Sequence, residues 1–282
     1  MPEATEHPLP DAALAELADD RPLVGDDERR RLERDGFVQL RGVLSPDAVA
    51  AVAAIVADVA DRSAQREVPL ARRGVYQQAF LQELNLWQRR ADIRPLVFSA
   101  RLGRLAADLL DAGGVRIYHD QALVKEAGGG RTPWHCDQYY WPVGTDRPLT
   151  VWIPLQDTPA EMGPLAFRAG SHRVDLGREL DISDESEARM RRHPRWRELA
   201  PNATGRDRLV MTVIYLPDGT TLTEPTTSGQ RFDRQIWLPD ADVGAPIASW
   251  LNPLVWSRDG APTAAEAALP EPGPFLGTFD LP

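Results

Sequence analysis

Apolar and polar positions divide the chain into a helical first half and a strand-rich second half. The segment "DDERRRLERDGFVQLRGVL" predicts a charged helix that stops at Gly36 and leads into a short strand, "FVQLRGV". The segment "SPDAVAAVAAIVADVADRSA" predicts a long helix, with Ser45 as its N-cap and Pro46 at the first helical position. Another helix is predicted over "RPLVFSARLGRLAADLLD", ended by Gly113 and Gly114.

Strand patterns begin at Val115. The runs "VRIYHDQALVKEA", "LTVWIPLQD" and "DRLVMTVIYL" alternate and are rich in β-branched and aromatic residues, with Gly and Pro turns between them. Helices followed by short strands predict an α+β fold around a sandwich or jelly roll. One later helix is predicted in "ISDESEARMRRH", with Ser183 as its N-cap.

The same patterns suggest a division of the chain into three parts. Residues 1–25 are rich in Pro, Ala and Asp and are expected to form a loose arm, and residues 26–258 a single domain with N-terminal helices. Residues 259–282 read as a Pro-rich tail. From about residue 217 the domain itself looks irregular, and Trp237, Trp250 and Trp256 are expected to anchor that part by packing.

Composition narrows the possible partners. The 282 residues are 43% hydrophobic and 26% charged, which is typical of a soluble globular protein. The net charge of -10 argues against a nucleic-acid or anionic-membrane partner. A single cysteine, Cys136, excludes an internal disulfide, and no signal peptide or 18-residue apolar run is found. We therefore expect a cytoplasmic protein, and no pattern indicates its oligomeric state.

A candidate metal site lies in "TPWHCDQYY", where His135 and Asp137 stand two positions apart. Residues with this spacing on a strand point the same way, so imidazole and carboxylate can share one metal ion. The chain has five histidines and 42 acidic residues, so a histidine two positions before an acidic residue arises by chance in roughly half of comparable sequences. Its place after a Gly-rich turn, between two predicted strands, favours half of the facial triad of non-heme Fe(II) oxygenases.

Longer blocks of sequence extend this interpretation. The segments "YHDQALVKEAGGGRTPWHCDQYYWPV", "LTVWIPLQDTPAEMGPLAFRAGSHR" and "PNATGRDRLVMTVIY" occur in this order, after "DGFVQLRGVLSPDAV" near residue 35. Together they resemble the phytanoyl-CoA dioxygenase family of Fe(II)- and 2-oxoglutarate-dependent oxygenases, from about residue 30 to residue 220. The resemblance implies a double-stranded β-helix (a cupin-like jelly roll) with flanking helices, and an enzyme that uses Fe(II), 2-oxoglutarate and O2.

The resemblance also implies roles for individual residues. His135 and Asp137 would bind Fe(II), and Arg208 would pair with the distal carboxylate of 2-oxoglutarate, for which a guanidinium fork is suited. Lys125 and Trp152 would lie beside this cosubstrate, with Gln121 assisting. His172, in "AGSH", would shape a loop, whereas His119 is expected to be a satisfied structural histidine.

The distal histidine of the triad is missing. In the family it stands about eleven residues before the arginine that corresponds to Arg208, a position that falls on Arg197 here. No strand-like alternation precedes "PNATG", and about twenty residues of the family pattern are absent. Three explanations stay open: His193 serves as the third ligand, the site is crippled by a real deletion, or the printed chain omits residues.

Three functions follow from these alternatives. The first is an oxygenase that hydroxylates an aliphatic carbon of a small molecule. The second is a non-catalytic or truncated homologue that keeps the fold but lacks a complete iron site. The third is a hydrolytic zinc site that uses Asp137, which would leave Arg208 without a role. The complete set of Lys125, His135, Asp137 and Arg208 favours the oxygenase.

Overall fold

The computed structural model of the chain describes residues 6–174, 179–194, 199–261 and 263–264. Its helices are α1 (Asp11–Ala18), α2 (Asp26–Asp35), α3 (Pro46–Asp61), α4 (Val75–Ala79), α5 (Leu86–Arg89), α6 (Arg94–Val97), α7 (Ala100–Leu110), α8 (Asp184–Arg191) and α9 (Ser228–Trp237). Its strands are β1 (Leu81–Leu84), β2 (Gly114–Lys125), β3 (Leu149–Pro154), β4 (Arg208–Pro217) and β5 (Leu254–Ser257). None of the described helices has the length and apolar character of a membrane-spanning segment.

Most of the predicted helices are confirmed, and their caps explain where they begin and end. Gly36 takes the left-handed conformation (φ 83°) that ends α2, and the Ser45 hydroxyl accepts a hydrogen bond from the backbone N–H of Ala48 to begin α3. The single helix predicted over "RPLVFSARLGRLAADLLD" is two helices. The Ser99 hydroxyl accepts from the N–H of Leu102 and starts α7 as a separate element, because serine competes with the helical backbone.

Three predictions for the termini and the connecting segments were wrong. The segment "FVQLRGV" forms bends without a strand partner in the described chain, and its Val38 and Leu40 pack partly buried against the core. The described part of the expected loose arm contains α1, whose Ala13 and Leu17 are buried. The irregular region after residue 217 contains α9.

The three C-terminal tryptophans differ in burial. Trp237 and Trp256 are buried anchors, as predicted. Trp250 is 52% exposed and touches the Trp87 ring edge-on. Most of the predicted Pro-rich tail, residues 259–282, lies outside the described residues.

The strands form one antiparallel sheet in the order β1-β2-β4-β3, and β5 pairs with the first residues of β2. The long strand β2 therefore has β4 along one side and β1 and β5 on the other. A second sheet, as a jelly roll would need, is not found among the described strands. The mixed helical and antiparallel architecture agrees with the predicted α+β class.

The two faces of the sheet have different roles. Helices α1, α3, α5, α6 and α7 cover one face and bury the main core, which includes Ile55, Trp87, Leu102 and Val213. A smaller apolar cluster, containing Trp141, Ile214 and Trp237, lies on the other face. A large cavity also opens on this second face and holds the candidate site.

Candidate active site

The His-x-Asp pair lies on the cavity wall, in an extended segment that runs into a turn of 3-10 helix beginning at Asp137. The His135 Nε2 atom is 3.3 Å from Oδ1 of Asp137. Two ligands at right angles, each about 2.1 Å from an ion, are separated by about 3 Å, so this spacing suits a shared metal. The sequence suggests that strand geometry brings the two side chains together, but in the structure the turn does so.

Hydrogen bonding prepares His135 for metal binding. Its Nδ1 donates to the carbonyl oxygen of Pro133 at 2.8 Å, which leaves the Nε2 lone pair for a metal. Burial works to lower the pKa of His135, but the hydrogen bond to Asp137, the charge of Asp137 and the hydrogen bond to Pro133 together raise that pKa. Burial works to raise the pKa of Asp137, but the hydrogen bond to His135 and the charges of His135 and His119 together lower that pKa. A metal would therefore displace a proton from the pair.

A complete triad is not found in the described part of the chain. Across residues 6–174, 179–194, 199–261 and 263–264, no three His, Cys, Asp or Glu side chains are grouped closely enough to hold a metal ion. His193 lies just after α8, with its ring nitrogens 3.4–3.5 Å from Nη1 of Arg168. The structure thus does not bring His193 to the pair, and the neighbouring guanidinium disfavours metal binding there. Arg197, at the family's distal position, lies outside the described residues.

Two buried cations face each other across strands β2 and β4. Lys125 is directly paired with Arg208 in the sheet register, and they are 1% and 5% exposed. The Lys125 Nζ donates to the carbonyl oxygens of Ala79 (2.8 Å) and Gly130 (2.5 Å) and contacts the Thr132 hydroxyl at 3.2 Å. These acceptors fix the ammonium but bring no negative charge.

Arg208 is still less satisfied. One of its terminal nitrogens donates to the carbonyl oxygen of Gly163, while Nε is buried without a partner. The Trp152 ring lies below the guanidinium, with its centroid 5.6 Å from Cζ. Burial lowers the pKa of Arg208 to about 10. Burial also lowers the pKa of Lys125 to about 7, with a further contribution from Arg208.

The adjacent carboxylates do not neutralise these cations. Glu126 follows Lys125 and is paired with Arg73, and Asp207 precedes Arg208 and is paired with Arg66 at 2.5 Å. Neither Lys125 nor Arg208 has a carboxylate partner among the described residues. Buried cationic groups without a counter-ion are a costly arrangement that a bound anion would relieve.

The cavity joins these parts in one space of about 2380 Å³. His135, Asp137, Lys125 and Arg208 all line it, as do the other predicted cosubstrate residues Trp152 and Gln121. Gln121 accepts a hydrogen bond from the Gln82 amide, which holds its side chain. His172 lines the cavity mouth and contacts the carbonyl oxygen of Glu33 at 3.0 Å, as expected for a loop-shaping residue.

Sequence reasoning missed two residues that build the cationic end. Asn202 is fully buried, and its amide donates to the carbonyl oxygens of Lys125 and Arg206, which ties the end of β2 to the start of β4. Gly163 approaches so closely that a Cβ there would lie 2.8 Å from the Ala200 carbonyl oxygen. Asn202 stands in the family-like segment "PNATG", but its hydrogen bonds to Lys125 and Arg206 depend on the fold and cannot be read from the sequence.

Solved structures resemble this fold over most of the chain. The non-heme α-ketoglutarate-dependent carbocyclase SnoK from nogalamycin biosynthesis is 22% identical, with 83% of this chain and 97% of that chain covered and a TM-score of 0.64. The epimerase SnoN, solved with Fe3+, α-ketoglutarate and nogalamycin RO, is 23% identical over 82% and 98% of the two chains (TM-score 0.65). EctD from S. alaskensis, solved with 2-oxoglutarate and 5-hydroxyectoine, is 21% identical over 80% and 87% (TM-score 0.55).

At these identities the structural similarity establishes the fold. No curated protein matches the chain. The model of the phytanoyl-CoA dioxygenase (PhyH) family matches residues 32–212, which is well over half of the sequence and includes the His-x-Asp pair and both buried cations. The chain therefore belongs to the phytanoyl-CoA dioxygenase family.

Proposed function

We propose that the protein is an Fe(II)- and 2-oxoglutarate-dependent oxygenase that hydroxylates an aliphatic carbon of a small molecule. The observation that carries this proposal is the uncompensated cation pair, Lys125 and Arg208, in the same cavity as His135 and Asp137. A dicarboxylate cosubstrate needs both features, a cation for one end and a metal for the other. Membership of the PhyH family supports the same assignment.

The residues present fit two protein ligands of an iron ion. Nε2 of His135 and Oδ1 of Asp137 have the separation of neighbouring ligands, and the Nδ1 hydrogen bond selects the tautomer that can bind a metal. When bound, iron would supply the site at which 2-oxoglutarate and O2 react. The family's third ligand has no counterpart among the described residues.

The protein's own residues then have distinct tasks. Arg208 binds the distal carboxylate with its guanidinium group, whose charge no carboxylate of the described residues balances, and the Trp152 ring packs against that group. Lys125 adds positive charge from the neighbouring strand β2, and its hydrogen bond to the Gly130 carbonyl oxygen anchors the Gly-rich turn. Gln121 borders the cosubstrate on the same strand face. The enclosing sheet keeps the substrate near the reacting site.

The remaining parts of the proposal concern fold and setting. We place the sheet described above within a double-stranded β-helix, the fold that the family resemblance implies, and SnoK and EctD resemble the described fold over most of their length. A small-molecule substrate agrees with the nogalamycin and ectoine compounds bound in the structures of SnoN and EctD. The acidic net charge of -10 agrees with a cytoplasmic enzyme that has no nucleic-acid or membrane partner.

One observation favours a second candidate, a non-catalytic homologue. No three potential ligands are grouped in the described residues, and loss of one ligand costs metal affinity. The retained pair of buried cations favours the enzyme, because a binding protein without iron has no use for a cosubstrate site. A hydrolytic zinc enzyme would likewise leave Arg208 without a role.

Consumption of 2-oxoglutarate tests the proposal. With Fe(II) and O2, the protein should convert 2-oxoglutarate slowly to succinate even without substrate, and His135→Ala should abolish this conversion. His193→Ala serves as the matched control and should keep the wild-type rate, because the ring of His193 lies beside Arg168 instead of the pair. No succinate from the wild-type protein would favour the non-catalytic homologue.

A further inference from the structure

His119 reaches the cavity because strand β2 contains a bulge. The register of β2 against β4 shifts between Ile117 and His119, so Tyr118 is an extra residue on β2. Since side chains alternate along a strand, one extra residue moves every later position to the opposite face. His119 consequently shares the cavity face with Gln121 and Lys125.

The His119 imidazole is unusually unsatisfied for a buried polar group. The residue is 6% exposed, and its Nδ1 has no hydrogen-bond partner in the part of the chain that the structure describes. Nε2, in contrast, is not among the ring atoms shut off from the cavity. This contradicts the expectation of a satisfied structural histidine. A buried polar group without a partner costs about 1–3 kcal/mol, and Nε2 is the ring nitrogen that a ligand in the cavity can reach.

The ring is positioned as a neutral donor. Orphaned buried N–H groups are rarer than unused acceptors, so the proton belongs on Nε2, the nitrogen with access to the cavity. Burial lowers the pKa of His119 to about 4, which keeps the imidazole uncharged near neutral pH. A neutral N–H suits an oxygen acceptor that carries no charge.

Aromatic side chains and an uncharged acid surround this donor. The Trp237 ring of α9 stacks on His119 at 5.1 Å between centroids, with 27° between the planes. Asp233, one turn earlier on α9, is buried and accepts a hydrogen bond from the Tyr118 hydroxyl at 2.8 Å. Burial raises the pKa of Asp233 well above its ordinary value, which favours the uncharged form of this carboxyl. Phe232 lines the same cavity.

The cavity therefore has two chemically different ends. Lys125 and Arg208 form a cationic end at the end of β2, whereas His119, six positions earlier on the same strand, lies among aromatic side chains and within electrostatic reach of Asp137. Among the described residues, His119 does not form a group of three potential metal ligands with His135 and Asp137. His119 is consequently available to a substrate rather than engaged by a metal.

We propose that His119 recognises an uncharged oxygen, a hydroxyl or keto group, on a ring-bearing apolar substrate that packs against Trp237 and Phe232. This inference rests on the proposed function, since it takes the cavity to be the substrate site. It names the substrate class of that site and makes His119 a determinant of specificity. The bulge at Tyr118 is the structural feature that places it.

Two probes of the same shape test the proposal. Naphthalene and 2-naphthol share a two-ring body, and only 2-naphthol carries an uncharged oxygen. In anaerobic titrations of the full-length protein with Fe(II) and 2-oxoglutarate, 2-naphthol should bind about tenfold more tightly than naphthalene. His119→Leu should reduce that ratio to about two or less, and His119→Gln, which keeps an N–H donor, should restore part of it. His193→Leu, the matched cavity histidine, should leave the ratio unchanged.

Three results would overturn the proposal. The first is equal binding of both probes to the wild-type protein, a comparison that needs no variant to fold. The second is an unchanged ratio in His119→Leu, and the third is loss of Fe(II) binding in that variant, which would make His119 a metal ligand. The Fe(II)–2-oxoglutarate absorption band, measured in the same samples, tests the proposed function separately, because the probe ratio can be read whether or not the band forms.

Discussion

At the scale of single residues, the site is defined by groups whose electrostatic needs the protein leaves unmet. Arg208 has a buried Nε without a partner, and Lys125 has three neutral acceptors but no carboxylate. The carboxylates closest in sequence, Glu126 and Asp207, are held by other arginines. The proposed function assigns the distal carboxylate of 2-oxoglutarate to this end of the cavity.

Replacement of Arg208 should separate cosubstrate binding from metal binding. Arg208→Leu removes the guanidinium that faces the distal carboxylate, and loss of a charge-assisted bond should weaken 2-oxoglutarate binding by roughly 10- to 100-fold. Fe(II) affinity in the absence of 2-oxoglutarate should stay the same. Arg206→Leu, an exposed arginine two positions earlier, is the control for isothermal titration. Equal 2-oxoglutarate affinity in the two variants would contradict the assigned role of Arg208.

Lys125 should make cosubstrate binding depend on protons. Burial and, to a smaller extent, Arg208 lower its pKa to about 7 from an ordinary 10.5. A bound carboxylate favours the ammonium form and raises this pKa, so the protein should take up a proton when 2-oxoglutarate binds at about pH 8. Calorimetry in buffers of different ionisation enthalpy measures the uptake, which Lys125→Met should abolish. Binding without proton exchange in the wild-type protein would contradict this account.

The same shift has a defined effect on stability. Between pH 7 and pH 10.5 the unfolded chain holds the Lys125 proton while the folded chain releases it. The unfolded state thus binds more protons in this window, and the free energy of unfolding should rise with pH across it. Below pH 7 both states are protonated, and the full cost of the buried charge is present.

The sequence revealed the residues that bear a family pattern and missed those that act only through the fold. His135, Asp137, Trp152 and Arg208 stand in recognisable motifs, and the structure places all four on one cavity. Asn202 matters because its amide bonds both to Lys125, 77 residues earlier in the chain, and to Arg206, four residues later. No local sequence pattern encodes both contacts. His119 was misjudged because a one-residue bulge changed the face on which it lies.

At the scale of secondary-structure elements, α9 determines the shape of the uncharged end. Its N-cap residue Thr227 donates to the Tyr139 carbonyl oxygen at 3.0 Å, and its Gly229 lies against the rings of Tyr139 and Tyr140. Glycine permits this contact, since a Cβ there would lie 2.7 Å from Cδ1 of Tyr140. The segment that carries the His-x-Asp pair and the wall that carries Trp237 are thereby fixed to each other.

A methyl group added at Gly229 should disturb its contact with the rings of Tyr139 and Tyr140. Gly229→Ala is expected to lower the free energy of unfolding by about 1–3 kcal/mol, because the tyrosine rings must move to make room. Urea denaturation measures the change. Gly205→Ala is the control, since nothing lies within 4 Å of a Cβ there, and its effect should stay within about 0.5 kcal/mol. Similar stabilities of the two variants would show that α9 does not depend on this close approach.

Local signals predicted most elements, and tertiary contacts decided the others. The caps at Ser45 and Ser183 and the stop at Gly36 are encoded within a few residues, so α3, α8 and α2 were found. The strand expected in "FVQLRGV" has alternation but no partner among the described strands, and a strand needs one. Helix α9 was missed because the Pro and Gly residues around it masked its apolar face.

At the scale of the whole molecule, one sheet separates the main hydrophobic core from the cavity that holds the candidate site. Its first face packs on the N-terminal helices, whose residues Ile55 and Trp87 are fully buried. Its second face carries a cavity with a cationic end and an uncharged aromatic end. This division fits an enzyme that binds a dianionic cosubstrate beside a less polar substrate, in agreement with its place in the PhyH family.

An anaerobic titration of the protein with Fe(II) and 2-oxoglutarate, followed by the weak visible charge-transfer band of their chelate, tests the central claim most directly. The account predicts a saturable band in the wild-type protein and in His193→Ala, and no band in His135→Ala. A band lost in His193→Ala as well would restore His193 as the third ligand, against the contact with Arg168 seen here. No band in the wild-type protein at millimolar ligand would contradict the assignment as an oxygenase.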